Sequence, residues 1–413
     1  MRLSAAIGGL LSAWLCLATP AAADDAQRIQ ELEGEVGELK RELQDLKLLV
    51  GDVTQAQATP PAVQDSHEAM HGFDSTQNGF HTPTLSLRGY GNVNYDSDWV
   101  DHDGGNNEST NHFTTGGLDL FITSQISEKL RFLNETVFEF EEGGEAVLDV
   151  ERLLVQYDYA DWLRPALGRG HTALGYWNHR FHHGSFTQTT VERPLLYRFE
   201  DDGGIMPVHF VGLEASGDVD VGESYFSYAA NLANGRGDIT DFVQMVEDQN
   251  EAKAFAFMLT FHPTGMEELG FGANTYIDRI PKDPDTPGRE DSIEERIFGV
   301  HAYYTVDPFE LIVEGQALHH DSEVGGVQWS YGAYAQVGYS LGRIKPYYRF
   351  DLLGIDPDDA YFMDLPGVEN TLEHTVGFRY DWTTFASTKL EFRRRDSKTF
   401  DAFEAAASAA FAF

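Results

Sequence analysis

From Thr84 to the C-terminus, apolar and polar residues alternate with a period of two. Trp329, Tyr331, Ala333, Ala335, Val337, Tyr339 and Leu341 interleave with Ser330, Gly332, Tyr334, Gln336, Gly338 and Ser340. Further on, Ile344, Pro346, Tyr348, Phe350 and Leu352 interleave with Arg343, Lys345, Tyr347, Arg349 and Asp351. Successive side chains of a strand point to opposite faces, so each such segment carries one apolar and one polar face. The pattern predicts strands near 84–95, 113–126, 130–140, 147–158, 165–171, 208–217, 222–232, 252–262, 269–277, 296–306, 309–319, 329–341, 343–352, 371–382, 386–396 and 401–413. Many run about 10–13 residues, which suits tilted strands crossing a bilayer rather than the shorter strands of a sandwich. Short turns such as Ser127-Glu128-Lys129, Asp307-Pro308 and Gly342 alternate with long loops at 96–112, 172–207, 233–251, 278–295 and 353–370. An even strand number with short turns on one side and long loops on the other predicts an all-β, transmembrane antiparallel β-barrel of about sixteen strands.

The segment ahead of the barrel has a different period. Ile29, Leu32, Val36, Leu39, Leu43, Leu46, Val50 and Val53 follow a heptad. Glu35 with Lys40 and Glu42 with Lys47 form matching flank pairs, which suits a parallel α-helical coiled coil over 24–53. The alternative is one amphipathic helix lying on another domain. β-branched a positions with Leu at d nominally favour a dimer, which an attached body with its own symmetry can override. Residues 54–83 read as a flexible linker rich in Gln, Ala, Pro, Thr and His. Residues 1–23 read as a signal peptide, with Arg2, an apolar stretch from Ala5 to Ala18, and Ala21-Ala22-Ala23 before Asp24. The single cysteine, Cys16, lies inside it, and Trp14-Leu15 ahead of it speak against a lipid anchor. The mature chain then has no thiol for a disulfide, a thiolate metal site or a haem.

Composition narrows the function. A formal net charge of −38 argues against nucleic acid as a partner. No apolar run in the body approaches the length of a spanning helix. More than half of the net charge falls in six segments, 96–111, 141–146, 233–251, 278–295, 321–324 and 353–370. Such loops are either simply solvated or bind divalent cations shared with lipopolysaccharide phosphates.

The last strand places Phe403, Phe411 and the terminal Phe413 on one face. With sixteen strands and that ending, residues 84–413 resemble the bacterial general porins, as an architecture rather than a matched motif. The N-terminal coiled coil is similar to that of phosphate-selective porin O/P relatives, though no phosphate site can be matched residue by residue. The resemblance implies an outer-membrane location in contact with lipid and lipopolysaccharide, a homotrimer with the coiled coil in the periplasm, and passive diffusion of small hydrophilic solutes or ions. It also implies that the third long loop, 172–207, folds inward as a constriction.

That loop holds His179, Arg180, His182, His183 and Arg193, and closes with Glu200, Asp201 and Asp202. With His171 and His209 flanking it, the segment suggests imidazole ligation, the basis of an alternative function: a non-conducting barrel that binds a metal or a partner. No ligand pair has a diagnostic spacing, so no metal and no cofactor is assigned. His67-Glu68-Ala69-Met70-His71 spells a zinc-protease motif, but in a linker with no core to hold a helix. Ser185 after His182-His183-Gly184 does not amount to a triad. No catalytic residue is assigned and no enzyme activity is expected.

The polar face of the last strands carries Arg343, Lys345, Arg349, Arg379, Lys389, Arg393 and Arg395 against Asp351, Glu373, Asp381 and Glu391, with Arg88 on the first strand. Read as a pore lining opposite Glu200-Asp201-Asp202, this basic wall favours anions. Read as internal salt bridges, it leaves little net field.

Overall fold

The computed structural model describes residues 84–413 except 103, 104, 106, 141–145, 183, 200–202, 238–248, 267 and 366. The signal peptide, coiled coil and linker expected over 1–83 lie outside the described residues.

Sixteen antiparallel strands close into one barrel, each paired with its neighbours in sequence and β1 with β16. The strands are β1 (Thr84–His102), β2 (Asn107–Gln125), β3 (Leu130–Phe140), β4 (Ala146–Tyr157), β5 (Arg164–His171), β6 (His209–Val221), β7 (Ser224–Ala233) and β8 (Ala254–His262). There follow β9 (Leu269–Ile280), β10 (Ile293–Tyr304), β11 (Phe309–Ser322), β12 (Gly326–Tyr339), β13 (Ile344–Gly354), β14 (Thr371–Thr383), β15 (Ala386–Ser397) and β16 (Phe400–Ala412). Closure matters physically. In hydrocarbon every backbone N–H and C=O needs an internal partner, and a closed barrel leaves no edge. The C-terminus completes the seam, where Phe413 and Gly89 exchange backbone hydrogen bonds of 2.9 and 3.0 Å.

The alternation decides what faces where. On β13, Tyr347, Arg349 and Asp351 are buried toward the interior. Tyr348, Phe378, Trp382 and Phe392 are 41–54% exposed on the outside. Phe350, Tyr380 and Leu390 share that outer face, with Leu390 beside Phe378 and Ala407. Outer aromatics gather near both ends, as girdles at the two interfaces require. Tyr159–Trp162 and Phe309–Tyr339 lie toward the short turns, and Trp99–Phe403 toward the long loops. Changing Leu390 to Arg, near the middle of β15, is expected to cost about 2–4 kcal/mol in a folding titration into lipid. An unchanged titration midpoint would reverse the assignment of faces.

Two expectations need correction. Segment 96–112 is not a long loop. β1 and β2 stay paired from Asp96↔His112 to Asp101↔Asn107, so the hairpin projects as a sheet. Polar residues on both faces hid the strand there, because above the lipid neither face must be apolar. The segment 321–324 likewise belongs mostly to β11 and a tight turn before β12. The loop 355–370 carries a short helix, α2 (Ala360–Asp364), whose N-terminus is capped by the Asp359 carboxylate accepting from Tyr361 N and Phe362 N.

Candidate pore constriction

The longest described connection, 172–208, does not leave the barrel mouth but folds inside it. It contains a one-turn helix, α1 (Tyr176–Arg180), and a single 3-10 turn at Leu195–Tyr197. Ala173, Leu174, Trp177, Leu196, Tyr197, Ile205, Met206 and Val208 pack with wall residues Ala229, Ala256, Tyr276, Ile312 and Tyr334 in one buried apolar cluster. Tyr361, Phe362 and Leu365 of the 355–370 loop join that cluster.

A loop inside a closed barrel cannot pair with a strand edge, so its backbone groups need side-chain partners. The wall supplies them by charge. Carboxylates accept from loop N–H groups: Glu314 from Tyr176 N and Trp177 N at 2.7 and 2.8 Å, Glu391 from Val191 N at 2.8 Å, and Asp351 from Leu195 N at 3.1 Å. Glu310 accepts from the Thr189 hydroxyl at 2.7 Å. Cations donate to loop carbonyls: Lys389 to Ser185 O and Thr190 O at 2.6 and 2.8 Å, Arg379 to Phe186 O and Gln188 O at 2.8 and 2.9 Å, and Arg349 to Glu192 O and Arg193 O at 2.8 and 3.1 Å. Asn231 and Asn274 accept from Ala173 N and Gly175 N.

Glu314 is the densest of these anchors, since the hydroxyls of Tyr197 and Tyr334 also donate to it. Burial, and then the Glu314 carboxylate, push the Tyr197 phenol well above its usual range, so it remains a donor. Gly175 leads into α1 at φ 69°, a left-handed backbone that glycine tolerates. A side chain there would run into the Tyr197 hydroxyl and the Glu314 carboxylate. In the loop itself burial raises the Glu192 carboxyl, but the Arg393, Arg198 and Arg193 guanidiniums outweigh it and hold the group below the usual carboxylate range.

The residues expected to line a pore thus have other surroundings. Arg349 is fully buried, and Lys389 and Arg393 are nearly so. Arg349 pairs with Asp351 at 2.7 Å and Glu373 at 3.5 Å, and Lys345 with Glu310 at 3.0 Å. Arg379 pairs with Asp381 at 2.8 Å. Arg393 bridges Glu391 and Glu404, and Arg395 bridges Glu373 and Glu404. These side chains lie under the loop and in ion pairs rather than toward open water. Arg343 is exposed in the turn between β12 and β13, outside the wall, and Arg88 is exposed near the short-turn end of β1. In the loop, His182 is buried while His179 and Arg180 are exposed. The Arg193 guanidinium stacks 3.8 Å from the Phe199 ring centre. His183, Glu200, Asp201 and Asp202 lie outside the described residues.

Beyond the clamp, β1, which pairs with β16, turns Asn92, Asn94, Asp96 and Asp98 inward, all half-exposed. Thr114 donates to Asp96 and Thr110 to Asp98, both at 3.4 Å. The barrel interior thus has a stretch covered by the loop, held by side chains of β11, β13, β14 and β15 with Asn231 of β7 and Asn274 of β9, and a polar, acidic, water-accessible row on β1.

Sequence reasoning missed Glu310, Glu314, Asn231 and Asn274. The signal was available for β11, where Glu310, Ile312 and Glu314 alternate with the outward Phe309, Leu311 and Val313. It also missed a second tie among the loops. Arg236 donates to Glu295 at 3.0 Å and to Ile205 O, Glu295 meets His320 at 3.1 Å, and His320 meets Asp359 at 2.8 Å.

No protein-family model matches the chain, and no curated protein matches it in sequence. Solved structures do match in fold. The anion-selective porin from Comamonas acidovorans is 10% identical with a TM-score of 0.55, over 80% of this chain and 100% of that one. The outer membrane channel DcaP of Acinetobacter baumannii is 12% identical with a TM-score of 0.54, over 80% and 97%. OmpT, an outer membrane protein of Vibrio cholerae in its trimer form, is 11% identical with a TM-score of 0.52, over 81% and 100%. At these identities the likeness is one of fold.

Proposed function

We propose that the chain is a passive channel of the bacterial outer membrane, through which small hydrophilic solutes or ions diffuse between the constriction loop and the β1 side of the barrel. One observation carries this reading. The loop is held inside the barrel by its own backbone groups, while β1, which supplies none of those anchors, keeps a row of polar, half-exposed side chains. A barrel filled only for stability has no reason to segregate them. The outer face, with its exposed aliphatic and aromatic residues, fits lipid and lipopolysaccharide as surroundings. A homotrimer, with three N-terminal helices joined in the periplasm, completes the proposal. It is supported by the heptad over 24–53 and by the trimer form of a protein of like fold. A monomer or dimer in native mass spectrometry of the intact protein would remove the trimer.

The basic wall is not the proposed selectivity element. Its charges are matched by carboxylates and loop carbonyls, and paired charges leave little net field. Selectivity is assigned instead to Asp96 and Asp98, which favour cations because charges lining a narrow pore act locally. The purified protein in a planar bilayer is expected to give stepwise conductance with a reversal potential on the cation side in a salt gradient. The double change Asp96→Asn, Asp98→Asn shifts it toward anions. Absence of steps refutes the channel, and an unmoved reversal potential refutes the β1 assignment.

A further inference from the structure

A register slip in β4 aims one carboxylate into the barrel away from the clamp. The pairing of β3 with β4 runs Glu135↔Arg152 and then Thr136↔Val150, so Glu151 is the extra residue of a bulge. Bulges re-aim side chains and recur beside functional sites. Glu151 is 1% exposed and meets two imidazoles, His182 and His209, while a third, His171, stacks on His182 with ring centres 3.9 Å apart. His171 ends β5, His209 begins β6 and His182 comes from the constriction loop. One ring nitrogen of each lies within 4.8 Å of the others. Glu151 Oε2 is 3.6 Å from His182 Nε2 and in direct contact with His209 Nε2.

The tautomer of His182 is set by its neighbour. The Asn178 amide nitrogen donates to the carbonyls of Thr172 and Val208 at 3.1 and 3.0 Å, and these can only accept. Asn178 Oδ1 is therefore an acceptor, and His182 Nδ1, 2.7 Å away, must donate to it. In the neutral ring this places the Nε2 lone pair on the side of Glu151. A ring nitrogen fixed by a hydrogen bond at the other nitrogen is how metal-ligating histidines are oriented. Glu135, which is held by Arg152, lies 4.0 Å from His171 Nε2 and supplies a further carboxylate just outside the cluster.

The geometry points to a binding site for a divalent transition-metal cation, zinc being the representative ion, with His171, His182, His209 and Glu151 as ligands. Three imidazoles and one carboxylate fill a tetrahedral shell, and the nitrogen-rich set disfavours calcium and magnesium. Bonds of about 2.0–2.1 Å place neighbouring donors about 3.4 Å apart, so on binding the rings close inward by roughly 1 Å while Glu151 and His209, in direct contact without the ion, move apart by about as much. The ion joins the loop to β4, β5 and β6, which carry none of the side chains of the clamp. It thereby fastens the root of the constriction on a second side. This site stands whether or not the barrel conducts.

The test uses the full-length protein in detergent, stripped with chelator and dialysed, then titrated with Zn²⁺ or Co²⁺. The wild type is expected to retain one equivalent per chain, and the Co²⁺ form to show the intense visible absorption of a tetrahedral centre. His182→Ala and His209→Gln should each lose the bound equivalent, while His179→Ala, which alters an exposed loop histidine, should keep it. Heat-modifiable gel migration confirms a closed barrel in every variant. His182→Ala keeps the test decisive, because that side chain belongs to the loop and not to the strands. Failure of the wild type to hold a stoichiometric ion, or equal retention by His182→Ala and His209→Gln, reduces the cluster to packing and overturns the assignment.

Discussion

Replacing Arg349 with alanine is expected to raise single-channel conductance and broaden its distribution, because this guanidinium fastens the loop to the wall. Its side chain has no solvent exposure. It binds Asp351, Glu373 and the carbonyls of Glu192 and Arg193 together. Truncation leaves Asp351 buried without its cation, whereas Glu373 retains Arg395 at 2.9 Å. Removing one partner of a buried pair costs about 3–5 kcal/mol. The ladder of the barrel carries its own hydrogen bonds, so the loss falls on the loop rather than on closure. Arg349→Lys should be intermediate: the charge is kept, but an ammonium cannot span two carboxylates and two carbonyls in one plane. Wild-type conductance in both variants would show that this residue does not hold the loop.

The second large effect is expected at Glu314. Glu314→Ala strips the acceptor from Tyr176 N, Trp177 N and the hydroxyls of Tyr197 and Tyr334. Each buried donor left without a partner costs about 1–3 kcal/mol, though loop relaxation and water recover part of the total. The readout is local opening. Hydrogen exchange at the amides of Tyr176 and Trp177 should accelerate by at least about tenfold, while the strands keep their protection. Glu314→Gln should lie between, since one amide oxygen replaces two carboxylate oxygens and the amide nitrogen faces donors. Unchanged exchange at those two amides in Glu314→Ala would move the anchor elsewhere.

Both experiments concern residues whose chemistry is visible in the sequence but whose partners are not. Arg349 reads correctly as inward-facing, because the alternation with Tyr348 and Phe350 fixes its side of the strand. Its surroundings are not legible, because alternation says nothing about what stands in front of it. Asp351, Glu373 and Glu391 are legible as acids on the same face. That they accept from loop amides requires the loop's path, which places Val191 beside Glu391 across two hundred positions of sequence. The same holds for the histidines. Their concentration near 171–209 is plain in the chain, but not their selection. His182 joins His171 and His209, while His179, three residues earlier, stays outside the cluster.

The sequence by itself determined the strand number, the faces and the closure of the barrel. These follow from a local rule, a side-chain period of two under the demand that lipid-facing positions be apolar and that every backbone group find a partner. The rule weakens where the lipid ends, which is why the β1–β2 hairpin read as a loop. Only the tertiary structure decided how the interior is used. Inside a closed wall the loop's amides and carbonyls had to be met by side chains from distant strands, and a bulge at Glu151 had to turn a carboxylate toward His182 and His209. Those pairings depend on distance in space between residues far apart in the chain, which no local pattern of polarity encodes.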